Sequence, residues 1–178
     1  MSYYYRKIEI DHLDTIKIKC LEYIKTQEKI YYKPQGYFLN LNFEELITYC
    51  PELLTAFNRY NIVCIYAAAF ITYRNKGIPV HVDSGTQQAR INIPLENCKN
   101  TFTGFYKNGH IIPYVNPITG ITASIITGAV LVDKVEIDQA TVIRVKAPHS
   151  VHMDENHTPR VTLTIGFNRD PVFLLDEL

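Results

Sequence analysis

The sequence predicts a mainly β domain, a β-sandwich or jelly roll, set behind a helical N-terminal segment. Three observations predict it. Two stretches before residue 62 carry helical apolar spacing. From residue 62 onward, short runs rich in Ile, Val, Thr, Tyr and Phe are punctuated by Gly, Pro and Asn. The length, 178 residues, suits one domain and is enough to bury a core without disulfides. Closely spaced strands after helices favour two packed sheets with helical support. The expected division of the single domain 1–178 is a helical buttress over 1–61, a β core over 62–168 and a tail over 169–178.

The first helix is expected within Asp11–Lys29, where Leu13, Ile16, Cys20, Tyr23 and Ile24 recur near helical spacing with charges between them. Asp11 or Asp14 is the candidate cap. One or two short helices are expected within Asn42–Asn61: Asn42 as N-cap with Glu45 three residues on forms a capping-box pattern, and Pro51 suits the first turn of a second helix. Strands are expected at Ile62–Tyr73, Val80–Asp83, Ala89–Pro94, Thr101–Tyr106, Gly128–Val132, Thr141–Val145 and Arg160–Phe167, with further ones at Ile111–Val115 and around Ile121–Ile126. The turn-rich stretch Tyr114–Ser124 reads as a loop near a site or as a plain hairpin.

Charge narrows the function classes. Lys plus Arg equals Asp plus Glu, 18 each, so there is no net field to draw a nucleic acid or a membrane surface. The longest apolar run, Ile62–Ile71, is too short to span a bilayer. The N-terminus is polar and lacks a secretory core. Cys20, Cys50, Cys64 and Cys98 form no paired motif and read as reduced, buried thiols. A cytoplasmic protein is expected.

The chemistry concentrates in two stretches. In "GIPVHVDSGTQQARINIP", His81 and Asp83 stand two residues apart, and in a strand such residues share a face. An imidazole beside a carboxylate suits a transition metal better than Ca or Mg, which take oxygen ligands. A third ligand has to come from elsewhere, and "APHSVHMDENHTPRVTLTIGF" offers His149, His152 and His157. His149 is nearest to the end of a strand and is the preferred ligand. His152 and His157 read as solvated residues of a polar turn. On the last strand Arg160, Thr162 and Thr164 alternate with apolar Val161, Leu163, Ile165 and Phe167, and Arg90 and Asn92 alternate in the same way with Ile91 and Ile93. Two strands that each pair an arginine-bearing polar face with an apolar one suggest a polar cavity. Tyr66, Tyr73 and Tyr106 are candidate lining residues.

In order and strand context, His81-x-Asp83, then His149, then Arg160-x-Thr162 resembles the Fe(II)- and 2-oxoglutarate-dependent oxygenases, in particular small aspartyl/asparaginyl hydroxylase-like and bacterial or phage members. The resemblance covers residues 62–168. It implies a double-stranded β-helix, a cupin-like form of jelly roll. It further implies Fe(II) held by His81, Asp83 and His149, and 2-oxoglutarate gripped at its distal carboxylate by Arg160 with Thr162. Arg90 is expected at the cosubstrate, at a substrate carboxylate or in an inward ion pair. The implied reaction consumes O2, releases succinate and CO2, and hydroxylates a small molecule or an amino-acid residue of a peptide. A carboxylate at Asp83, where related halogenases carry a small residue, favours hydroxylation. The competing readings are a cupin-like epimerase, isomerase or metal-binding protein without oxygenase activity, and a non-catalytic interaction protein on the same fold.

Overall fold

Helix α1, Leu13–Thr26, buries Ile16, Cys20, Tyr23 and Ile24, a stripe that recurs every three to four residues along one side. The structure, a computed structural model, describes residues 2–27, 37–72, 78–115, 122–153 and 159–176. The N-cap of α1 differs from expectation. It is His12, in the left-handed region at φ 59°, with no side-chain cap; Asp14 falls inside the first turn, where its charge still complements the helix dipole. Helix α2, Phe43–Tyr49, starts as expected: Asn42 Oδ1 accepts from Glu45 N at 3.4 Å and Asn42 Nδ2 donates to Glu45 Oε1 at 2.9 Å. Pro51 then opens a separate 3₁₀ turn, Pro51–Leu54. Tyr23 donates to Glu45 Oε2 at 3.0 Å and ties α1 to α2.

Twelve strands lie among the described residues: β1 Tyr5–Lys7, β2 Tyr37–Asn40, β3 Cys64–Thr72, β4 Ile78–Val82, β5 Ala89–Glu96, β6 Thr101–Lys107, β7 His110–Val115, β8 Thr122–Thr127, β9 Val130–Val135, β10 Thr141–Arg144, β11 His149–Met153 and β12 Arg160–Phe167. They form two six-stranded antiparallel sheets, ordered β1-β10-β5-β12-β3-β2 and β7-β8-β4-β11-β6-β9. The N-terminal segment is therefore not helical alone, since β1 and β2 edge the first sheet. The stretch Tyr114–Ser124 belongs to the β7–β8 hairpin, and residues 116–121 lie outside the described residues. From β3 to β6 the chain alternates between the sheets strand by strand. It does so again from β9 to β12.

The main core lies on one face of the first sheet. Ala67, Ala69, Ile71, Ile91, Ile93, Val161, Leu163 and Ile165 are buried there with Ile16, Cys20 and Ile24 of α1. The expected tail also joins this core: Leu174 and Leu175, on the short helix α3 (Phe173–Asp176), are buried against it. A smaller core of Tyr4, Phe105, Val135, Ile143 and Val145 holds the two sheets together at one side. The other face of β5 and β12 is polar and turns towards the second sheet. Arg160 Nε of β12 donates to Thr101 Oγ1 of β6 at 2.9 Å, and Arg90 Nε of β5 stands 3.8 Å from Asp83 Oδ2 just past β4. All four cysteines are free and buried. No described helix is long and apolar enough to cross a membrane.

Candidate metal centre

His81 lies on β4 and His149 opens β11, and the two are direct backbone partners across the antiparallel pair. Cross-strand partners stand close and share a face, so their rings meet with centroids 4.4 Å apart. Asp83 follows β4 by one residue, and its backbone N–H donates to Val145 O at 3.2 Å, which returns the carboxylate to the histidines. Asp83 Oδ1 is 3.4 Å from His81 Nε2 and 3.7 Å from His149 Nε2. One ligand atom from each of the three residues lies within 4.8 Å of the others, and among the described residues this is the one such group of three or more His, Cys, Asp or Glu.

Hydrogen bonds fix which nitrogens face the centre. His81 Nδ1 is 2.8 Å from Pro79 O and His149 Nδ1 is 2.9 Å from Ala147 O. A carbonyl only accepts, so each Nδ1 carries the proton and each Nε2 offers a lone pair towards Asp83. Orientation of a metal-ligating ring through its other nitrogen is the usual support of such sites. Burial first, and then the closeness of a second imidazole, His81, pushes the His149 imidazole down to about 4, so it is neutral and ready to ligate at pH 7. Burial alone raises Asp83, but the neighbouring His81, His149 and Arg90 outweigh it and hold the carboxyl below its usual range.

The loop carrying Asp83 is clamped from the turn before β11. Lys146 Nζ donates to Asp83 O at 2.8 Å and also to Gly85 O. Val145 N–H donates to Gln88 O at 3.0 Å. Sequence reasoning missed Lys146, and "VKAPH" holds no local signal of it, because its acceptors are backbone atoms more than sixty residues upstream.

The remaining expected site residues divide cleanly. Arg160 and Thr162 are buried on the inner face of β12. Burial pulls the Arg160 guanidinium down from its ordinary value, and among the described residues no carboxylate lies within ion-pair distance of it. Arg90 faces Asp83, with its Nε buried and without a hydrogen-bond partner. Asn92 Oδ1 and Thr164 Oγ1 are likewise buried and unpartnered. Tyr66 lies over Gly166 of β12, where an added Cβ would come within 3.2 Å of its ring, and its hydroxyl bonds Asn40.

Two expectations need correction. His152 is not in a turn: it lies on β11, three residues from His149 and therefore on the opposite face. There its Nε2 meets Tyr106 Oη at 2.5 Å and Ser150 Oγ at 2.7 Å, and its ring stacks on Phe102. Tyr106 thereby leaves the list of cavity residues. His157 and Tyr73 lie outside the described residues. No family model matches the chain, and no curated protein matches it.

Proposed function

We propose that the chain is an Fe(II)- and 2-oxoglutarate-dependent oxygenase built on a double-stranded β-helix. The observation that carries this reading is the convergence of His81, Asp83 and His149, with both Nε2 lone pairs turned to one carboxylate. Two imidazoles and one carboxylate on one side of a centre form the facial set that suits Fe(II) and leaves positions open. The strand order supports the fold. Within the two sheets, the runs β3-β12-β5-β10 and β4-β11-β6-β9 have the order expected of the two four-stranded halves of such a fold, with consecutive strands alternating sides from β3 to β6 and from β9 to β12.

Bound there, the metal supplies O2 activation, coupled to decarboxylation of 2-oxoglutarate to succinate and CO2 with the second oxygen atom delivered to a substrate C–H. The chain's own groups supply position and charge. Arg160 is a buried guanidinium without a carboxylate partner among the described residues, and an isolated buried charge is costly. The distal carboxylate of 2-oxoglutarate gives it a planar, bidentate partner, with Thr162 beside it on the same strand face. His149 and Met153 are separated by four steps of β11, roughly 13 Å at strand rise. Met153 pairs with Thr101, which holds Arg160. The ligands at the His149 end and Arg160 at the Met153 end would hold the two ends of a five-carbon dicarboxylate. Arg90, with an unpartnered Nε beside Asp83, orients the metal carboxylate and offers a donor to the cosubstrate end nearest the metal. The substrate class is a small molecule or an amino-acid residue of a peptide.

Calorimetric titration of 2-oxoglutarate into Mn(II)-loaded protein tests the assignment. The expected outcome is saturable binding that Arg160→Met weakens at least tenfold while Mn(II) binding persists. Metal binding with no 2-oxoglutarate binding would leave a cupin-like metal protein instead.

A further inference from the structure

Beyond the metal centre, the rung that carries His81 runs on across the second sheet. His81 of β4, Ile125 of β8 and Ile112 of β7 are successive backbone partners. Direct partners share a face, so both isoleucines stand on the face that presents His81 to the centre. Two strand spacings carry this apolar shelf about 10 Å outward from the ligand. Ile125 is half-buried and Ile112 is 48% exposed, although both belong to the face turned towards the first sheet. Ile111, next along β7 and 68% exposed, points to the opposite, outer face. The first sheet is apolar on the same side. Phe38 of β2 and Phe70 of β3 are backbone partners on its inner face, with ring centroids 5.0 Å apart, and both are half-buried. Tyr4, Phe105 and Ile143 close the space between the sheets at the side of β1 and β9. Strands β2 and β7 are the opposite ends of the two sheets, and there the inner faces are apolar and partly open.

A single exposed isoleucine is ordinary on a protein surface. An inward rung that starts at a metal ligand and continues as two part-exposed isoleucines is a binding wall. Ligand sites pair mostly apolar walls with a few polar groups that fix orientation. The polar groups are the metal ligands and the arginines of β5 and β12, and the apolar wall is β8 and β7. We propose that Ile125 and Ile112 form the subsite for an uncharged hydrocarbon group of the substrate, alicyclic or aromatic, which enters at the side of β2 and β7 and reaches the metal centre along this rung. A charged or heavily hydroxylated body would lose hydration against the two isoleucines and gain no hydrogen bond from them. The subsite is distinct from that of the cosubstrate, whose partners Arg160 and Thr162 lie on the facing sheet. It rests on the oxygenase reading for the chemistry at the metal and not for the apolar shelf itself.

The test uses the full chain loaded with Mn(II) and 2-oxoglutarate, with Zn(II) as the diamagnetic reference, and records proton NMR spectra of added probes. The probes are benzyl alcohol and cyclohexanemethanol, with glycerol as the polar counterpart. Mn(II) broadens the signals of protons held near it. The hydrocarbon signals of the first two probes are expected to broaden in the Mn(II) protein relative to the Zn(II) protein, and those of glycerol are not. Ile112→Glu should abolish the broadening while 2-oxoglutarate still binds. Ile111→Glu, one residue away on the outer face, should keep it. Ile112→Ala, the milder change, should raise the probe concentration required by about fivefold, for the loss of about half a side chain's burial. Equal broadening of glycerol, no broadening in a wild type that holds Mn(II), or undiminished broadening in Ile112→Glu overturns the proposal. The oxygenase reading fails separately, by absence of 2-oxoglutarate binding in wild type. If no metal binds, saturation transfer from the protein to the two hydrocarbon probes reads the subsite through the same pair of variants, and equal transfer in Ile112→Glu and Ile111→Glu overturns it.

Discussion

His81 and His149 each commit one ring nitrogen to a backbone carbonyl, Pro79 O and Ala147 O, and so hold the other as a lone pair beside Asp83. His149→Ala is therefore expected to abolish stoichiometric Mn(II) binding in a calorimetric titration, whereas His152→Ala leaves it unchanged because His152 faces away from the centre. Lys146 acts one layer out, holding the carbonyls of Asp83 and Gly85. Lys146→Met is expected to weaken metal affinity by about tenfold, the lower end of what lost outer support costs such sites, and Lys146→Arg to recover part of it. The buried neutral state of His149 also sets a pH dependence for the metal-free protein. Its pKa is 6.5 when unperturbed and about 4 in the fold, so the unfolded chain binds the extra proton between these values. Stability should fall as pH drops from 6.5 towards 4, by on the order of 3 kcal/mol in total. His149→Gln should flatten that slope in urea melts recorded across the same range.

At the scale of elements, β5 and β12 do two jobs with opposite faces. Their apolar faces bury Ile91, Ile93, Val161, Leu163 and Ile165 under α1. Leu163→Ala should therefore cost about 2–5 kcal/mol, the usual range for a large-to-small change in a packed core. Asn42→Ala, which removes the reciprocal cap of α2, should cost about 1 kcal/mol. Denaturant unfolding measures both. The period-two alternation made the two faces of β5 and β12 legible before any coordinates, since a strand's side chains have no other choice of direction. The same rule failed for β11. "HSVHMDEN" is too polar to read as a strand, yet His149–Met153 is held between β4 and β6 in the middle of its sheet. Tertiary pairing overrode local preference there. The edge strands β1 and β2 escaped notice for a related reason: three and four residues carry too little pattern to distinguish them from loop.

For the whole molecule, the path of the chain does what no local stretch can. Alternation between the two sheets brings His149 opposite His81 and sets Arg160 on a neighbouring strand of the facing sheet. Composition and strand spacing made the two-sheet class readable, and the His-x-Asp pair pointed to a metal. The clamp from Lys146 and the rung from His81 through Ile125 to Ile112 needed the register, because each depends on which residues face one another across strands. A site assembled from β4, β11 and the loop after β4 also couples metal to fold. Metal at a hundredfold excess over its Kd should stabilise the protein by about 2.7 kcal/mol, visible as a rise in melting temperature that His81→Ala removes. The most direct test of the central claim is the visible spectrum of the protein mixed anaerobically with Fe(II) and 2-oxoglutarate. A weak charge-transfer band that disappears in His81→Ala and in Arg160→Ala is the predicted result. A wild-type protein that shows no band and retains neither iron nor 2-oxoglutarate would contradict it.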